Sequence, residues 1–247
     1  MNIQKTKNGI YTFGATTEVP AQDAALILEA INKPVAKGSK GLEGRVLARR
    51  VFLPSFGQVV IKEYRRGGLL GRIIALSHFS FRTTRSEIEF RALHEAASLG
   101  INIPKPICFV HTSGFIYSAW LVTEEIQDSV SLAELATRDE QLARSITAQV
   151  SLCVIKLIKA RIIHVDLHPG NVLVGSNGKV YLIDFDKASK FSGSIRSLRD
   201  FFLCRWRRAC LKHGLPEYVH QIMSLELRQH LAWKDNPQGG REGCGGQ

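Results

Sequence analysis

The chain has 247 residues, 45% of them hydrophobic, and a formal net charge of +11. That length holds one two-lobed unit or two small domains with a real core, and the charge favours anionic partners: nucleic acid, anionic lipid or phosphorylated sugars. The five cysteines are scattered without a C-x-x-C pair, which argues against a disulfide framework or a zinc site and for reduced thiols in a cytoplasmic protein. The first ten residues lack the apolar core of a signal peptide, and no apolar run approaches the ~20 residues of a membrane span, so membrane contact is expected to be peripheral.

Residues 1 to about 20 are polar with β-prone patches and read as a short hairpin or arm. From Asp23 to Ile31, Leu26, Ile27 and Ala30 recur at helical spacing, with Pro34 just beyond. Gly38, Gly41 and Gly44 then precede a strand over 45–53. A glycine-rich turn at that place lets backbone N–H groups approach phosphates, and a flexible surface loop explains it equally well. It departs from the G-x-G-x-x-G of protein kinases. After a turn at 54–57, the strand QVVIKEY over 58–64 carries Lys62 within VVIK, close to the V-A-I-K signature whose lysine holds the α and β phosphates of ATP. Arg65, Arg66, Gly67 and Gly68 follow directly. Two adjacent guanidinium forks suit a carboxylate or phosphate, with a basic surface turn as the equal alternative.

Ser86 to Leu99 reads as a helix closed by Gly100. A kinase needs one glutamate there to hold the strand lysine over the phosphates. Glu87 has Arg91 four residues on, a solvent-type pair. Glu89 shares a face with Ala92, Leu93 and Ala96, although Arg85 could also pair with it; Glu89 is the candidate and Glu87 the alternative. Pro104 and Pro106 open a strand over 107–111, residues 112–114 turn it into 115–123, and Glu124 to Ile126 leave the sheet as a connector. In a two-lobed kinase that connector is the hinge whose backbone groups read adenine. Two helices follow, each with a capping box, Ser131 with Glu134 and Thr137 with Glu140. The second runs to about Ala160, with Leu142, Ile146, Val150, Val154, Leu157 and Ile158 as its core stripe.

The chemistry concentrates in HVDLHPGNVLVGSNGKVYLIDFD, from His164 to Asp186. The pattern predicts a loop, a strand over 172–174, a turn in which Asn177-Gly178 tolerates positive φ, and a return strand over 180–183. H-x-D-x-x-x-x-N followed by D-F after a strand matches phosphoryl transfer. Asp166 would orient and deprotonate a hydroxyl, while Asn171 and Asp184 would hold Mg²⁺ over the phosphates of ATP. The plain alternative is three polar caps on strands and turns. A basic amphipathic helix over 195–213 comes next. Its Arg196, Arg199, Arg205, Arg207, Arg208 and Lys212 form a solvated face on a packed helix or lie against an anionic membrane. A last helix covers 216–233, and the glycine-rich residues 236–247 read as a disordered tail.

VIKEYRRGGLLGRI, TRSEIEFRALHEAASLGINIPKPI and HVDLHPGNVLVGSNGKVYLIDFDKA together resemble the lipopolysaccharide-core kinases. Within them the chain is most similar to the kinases of 3-deoxy-D-manno-octulosonic acid (Kdo), over roughly residues 40 to 213. The resemblance implies an α+β, two-lobed protein-kinase-like fold, with a small N-lobe over 1–124 built from an antiparallel sheet and one helix. A mainly helical C-lobe would cover 125–235. It further implies an ATP- and Mg²⁺-dependent sugar kinase, peripheral on the cytoplasmic face of a Gram-negative inner membrane and acting on an anionic glycolipid. By position, Lys62 would bind ATP with Glu89 as its anchor. Gly41, Gly44, Glu124 and Ile126 would line the nucleotide, Asp166 would be the base, and Asn171 and Asp184 the metal ligands. Arg65, Arg66, Gly67, Gly68 and His168 would face the sugar.

The loop D-L-H-P-G-N is the form typical of aminoglycoside and choline kinases, which leaves the acceptor open. His168 and Val165 stand where a protein kinase has its catalytic-loop lysine and arginine. No A-P-E follows Asp184, which argues against a peptide substrate. A RIO-like protein kinase and a non-catalytic, pseudokinase-like module are the alternatives. No aromatic RNA-binding pattern supports nucleic acid as a partner, and the sequence sets no oligomeric state.

Overall fold

The computed structural model describes residues 1–33, 47–64, 83–113 and 117–231. Their contacts divide the chain into two units, residues 1–95 with 104–125 and residues 96–103 with 126–247. In the first unit the elements are β1 (Gln4–Asn8), β2 (Tyr11–Ala15), α1 (Ala21–Asn32), β3 (Leu47–Leu53), β4 (Gly57–Tyr64), α2 (Arg85–Ser98), β5 (Pro106–Thr112) and β6 (Ala119–Glu124). The six strands form one sheet in the order β1-β2-β5-β6-β4-β3, and every neighbouring pair is antiparallel.

The N-terminal hairpin is therefore part of the main sheet and not an arm. Its inner strand pairs with β5, with Gly14 opposite Phe109. A Cβ on Gly14 would fall 2.1 Å from the Phe109 ring, so only glycine leaves that buried ring its place over the backbone. Helix α1 packs Ile27, Ala30 and Ile31 against Phe13, Leu53, Val59, Ile61, Val110 and Val122. Burying Ile27 completely contributes about 2 kcal/mol. The inward stripe of α1 begins at Asp23, in the first turn where a carboxylate meets the positive end of the helix dipole, and leaves Leu26 only partly buried.

The second unit contains β7 (Val130–Ser131), α3 (Leu132–Arg138), α4 (Glu140–Lys159), β8 (Ile162–Ile163), β9 (Val172–Val174), β10 (Val180–Leu182), β11 (Ser189–Lys190), α5 (Ile195–Lys212) and α6 (Tyr218–His230). Its strands form two small sheets, β10-β9-β7 and β11-β8. The capping box of α3 forms as expected, with Ser131 Oγ accepting from the Glu134 N–H and Glu134 returning the bond. The second box does not form. Thr137 lies inside α3 and donates to the Glu134 carbonyl, and Asp139 caps α4 by accepting from the Leu142 N–H at 2.9 Å.

That start shifts the buried face of α4. Ala143, Ile146, Val150, Val154, Leu157 and Ile158 are buried, whereas Leu142, expected in the stripe, is 43% exposed. Thr147 and Ser151 join the buried face by returning their hydroxyls to carbonyls four residues back. Among the described residues α4 alone is long and apolar enough to cross a membrane; half of that stretch is buried against its own unit, as in a core helix. Helix α5 buries Leu198, Phe202, Leu203, Trp206 and Cys210. The Trp206 Nε1–H donates to the Val219 carbonyl at 3.0 Å and ties α5 to the start of α6. An α+β, protein-kinase-like fold is what these elements make, a sheet-rich first unit and a mainly helical second.

Candidate active site

Lys62 sits mid-strand on β4, opposite Ala48 of β3 and Leu121 of β6, so its backbone is fixed from both sides. Its Nζ lies 2.7 and 3.1 Å from the two carboxylate oxygens of Glu89 on α2. Tyr64, two residues along the same strand and hence on the same face, donates its hydroxyl to Glu89, and the Lys62 Nζ stands 5.1 Å from the Tyr64 ring centre. Arg85 lies over that ring. Glu87 is also buried, and its partners are Lys5 at 2.8 Å and Arg91 at 2.7 Å. Burial alone would raise the Glu87 carboxyl, but the hydrogen bonds from Lys5 and Arg91 outweigh it and hold the group below its usual range. The Glu87–Arg91 pair is thus no simple solvent pair: the N-terminal hairpin, through Lys5, closes over it.

The connector carries two spent donors. The Glu124 N–H donates to the Lys105 carbonyl and the Glu125 N–H to the Gln58 carbonyl, both at 2.9 Å. The Ile126 N–H meets no backbone carbonyl among the described residues.

In the second unit the loop from His164 to Asn171 joins β8 to β9. His164 is 1% exposed, its ring lies 4.4 Å from that of Phe185, and its Nε2 donates to the Ile183 carbonyl at 3.1 Å. Burial pushes its pKa down to about 4, so the ring is neutral near pH 7. Asn171 donates from Nδ2 to the backbone carbonyl of Asp166 at 2.9 Å, and its own carbonyl accepts from the Ile183 N–H at 3.1 Å. Ile183 is thereby bonded to the loop on both sides, which fixes Asp184 next to it. Asp184 itself adopts φ 65, a left-handed backbone that aspartate tolerates better than most residues and that marks a position shaped by something other than local stability. The turn between β9 and β10 uses positive φ at Gly178 alone. The Gly178 N–H donates to Gly175, and Asn177 has no positive φ and accepts the Lys179 N–H. His168 caps the short turn Pro169–Asn171 by accepting the Gly170 N–H on Nδ1. Burial, then the nearby Arg205 and His213, push its pKa down, so it presents a neutral ring.

Two cations that the motif reading missed sit on Asp166. Lys187 Nζ lies 2.8 Å from Oδ2, and Arg205 Nη2 from α5 lies 3.0 Å from Oδ1. Arg196, Arg207, Arg208 and Lys212 of the same helix are exposed, as a basic face requires, but Arg199 and Arg205 are partly buried, and Arg205 reaches Asp166. The available signal was its spacing, seven residues after Leu198 and three after Phe202, both buried.

Asn171 spends its amide nitrogen on the loop, and its amide oxygen and the Asp184 carboxylate are both hard oxygen groups. Among the described residues no cluster of three or more His, Cys, Asp or Glu could hold a metal ion alone. Such a pair fits Mg²⁺, which takes one or two protein ligands together with substrate phosphates. Gly41, Gly44, Arg65, Arg66, Gly67 and Gly68 lie outside the described residues, as do Gly38 and the tail over 236–247.

Comparison with known proteins gives a family. The model of the lipopolysaccharide kinase (Kdo/WaaP) family matches residues 40–201, which hold Lys62, Glu89 and the whole loop. A 3-deoxy-D-manno-octulosonic acid kinase of Vibrio cholerae is 35% identical over 136 residues, 53% of this chain and 56% of that protein. One from Vibrio vulnificus strain YJ016 is 31% identical over 78% of this chain and 79% of its own length. One from Xylella fastidiosa strain M12 is 31% identical over 81% of this chain and 80% of its own. The chain belongs to the lipopolysaccharide kinase (Kdo/WaaP) family, phosphotransferases with an alcohol group as acceptor.

Proposed function

We propose that this protein transfers the γ-phosphate of ATP to a hydroxyl of Kdo in the lipopolysaccharide inner core. The observation that carries the reading is the loop in which Asn171 is bonded both to the Asp166 carbonyl and to the N–H of Ile183, the residue before Asp184. The names of the relatives, all Kdo kinases, favour Kdo over heptose.

In this reading Asp166 accepts the proton of the acceptor hydroxyl as its oxygen attacks the γ-phosphorus; the bond to the β-phosphate oxygen breaks and ADP leaves. Lys62, held by Glu89, binds the α and β phosphates. The Glu124 carbonyl and the Ile126 N–H read adenine, a division that agrees with the Glu124 N–H being already spent. Asn171 and Asp184 hold Mg²⁺, which when bound neutralises charge developing on the phosphate oxygens. Gly41 and Gly44 approach the phosphates, while Arg65, Arg66, Gly67, Gly68 and the neutral His168 face the sugar. The lobes are residues 1–124 and 125–235. The protein works at the cytoplasmic face of the inner membrane, held there peripherally by its basic surface and its glycolipid substrate.

The test is incubation with Mg-ATP and either Kdo-lipid A or a heptose-bearing core with its Kdo already phosphorylated, read by mass spectrometry. One added phosphate on the Kdo residue is expected. Transfer to heptose alone reassigns the acceptor, and no transfer to any core glycolipid refutes the proposal.

A further inference from the structure

Each oxygen of Asp166 meets a different cation, and the two are unlike. Lys187 is 57% exposed and holds Oδ2 with a flexible, hydrated ammonium. Arg205 is 33% exposed and is carried mid-helix on α5 between buried Phe202 and buried Trp206. A guanidinium has five N–H groups. Among the described residues Arg205 uses one of its own, Nη2, on Asp166, and its buried Nε has no partner. A buried N–H that meets no acceptor is costly unless something else completes it.

Asp166 is met by two cations, one on each oxygen, so the Arg205 guanidinium can turn N–H groups to a second acceptor without leaving the base unpaired. Guanidinium is suited to that task, because its planar fork meets a carboxylate with directed, charge-assisted bonds and is already anchored.

We propose that Arg205 is a specificity-determining residue that binds the carboxylate of the acidic sugar. It would use N–H groups not committed to Asp166 and so present the neighbouring hydroxyl to that base. The proposal rests on the reading that the acceptor is an ulosonic acid.

The experiment compares Kdo-lipid A with its Kdo methyl ester, which keeps the lipid phosphates and every hydroxyl but loses the sugar's charge. The readout is the ratio of kcat/KM for acid over ester. Wild type should favour the acid about 30-fold, mainly through KM, as expected for a lost charge-assisted bond. Arg205→Gln should reduce the preference to about 2-fold, and Arg205→Lys, which keeps the charge without the fork, should leave it intermediate. Equal use of acid and ester by wild type overturns the inference without touching the proposed function. So does a full preference kept by Arg205→Gln, which would make Arg205 only a support for Asp166. A wild-type protein that phosphorylates neither acceptor removes the function reading itself.

Discussion

Two sets of opposite charges surround the candidate residues, one in each unit, and they are built on different terms. In the first, the Glu89 side chain is 3% exposed and Lys62 16%, with the Tyr64 hydroxyl as a third member. In the second, Asp166 is 24% exposed, Arg205 33% and Lys187 57%. A carboxylate buried as deeply as Glu89 cannot give up its cation without leaving an uncompensated charge, so the first set behaves as a fixed frame. Ion pairs open to water contribute about 0–1 kcal/mol and exchange partners readily. The second set is therefore suited to substrates that arrive, bind and leave.

Breaking the frame should do the most damage. Glu89→Ala leaves Lys62 and the Tyr64 hydroxyl without their shared acceptor and is expected to cost about 4 kcal/mol in urea unfolding. A loss under about 1 kcal/mol would mean that the pair is no frame at all.

The loop of the second unit has its own rigid point, His164, and pH reports on it. The folded pKa is near 4 against an ordinary 6.5. Above pH 6.5 the ring is neutral in both states and folding loses nothing. As pH falls from 6.5 to 4 the unfolded chain takes up a proton that the folded ring refuses, and stability drops by roughly 3 kcal/mol. Urea midpoints measured across that window for wild type and His164→Asn should differ in slope, the variant being the flatter. Equal slopes would remove His164 from the account.

Tyr64→Phe, which removes the hydroxyl bonded to the buried carboxylate, should cost about 2 kcal/mol. Lys187→Ala, at the open end of the comparison, should change stability by less than about 1 kcal/mol. A larger cost there would show that the second set is also part of the frame.

The sequence makes these two regions unequally legible. Strand alternation places Lys62 and Tyr64 on one face, and helical spacing turns Glu89 inward beside Leu93, so local periodicity nearly suffices for the first set. The loop was readable because its residues are close in the chain and end at a hairpin. Arg205 lies 39 residues from Asp166, and which arginine of a basic helix reaches that carboxylate depends on how α5 packs through Trp206. The pairing of the N-terminal hairpin with β5 was hidden for the same reason, since strands about a hundred residues apart leave no local pattern. The start of α4 turned on a competition between neighbours, in which Asp139 took the cap that the Thr137–Glu140 spacing advertised.

The most direct test of the account is the rate of phosphate transfer from Mg-ATP to Kdo-lipid A by Asp166→Asn. This variant keeps the shape of the loop and removes the base. The expected result is a fall in kcat of about 10³-fold or more, with the thermal unfolding of wild type retained. An Asp166→Asn protein that turns over at a tenth of the wild-type rate would contradict the assignment of Asp166 as the base and, with it, the reading of the loop around it.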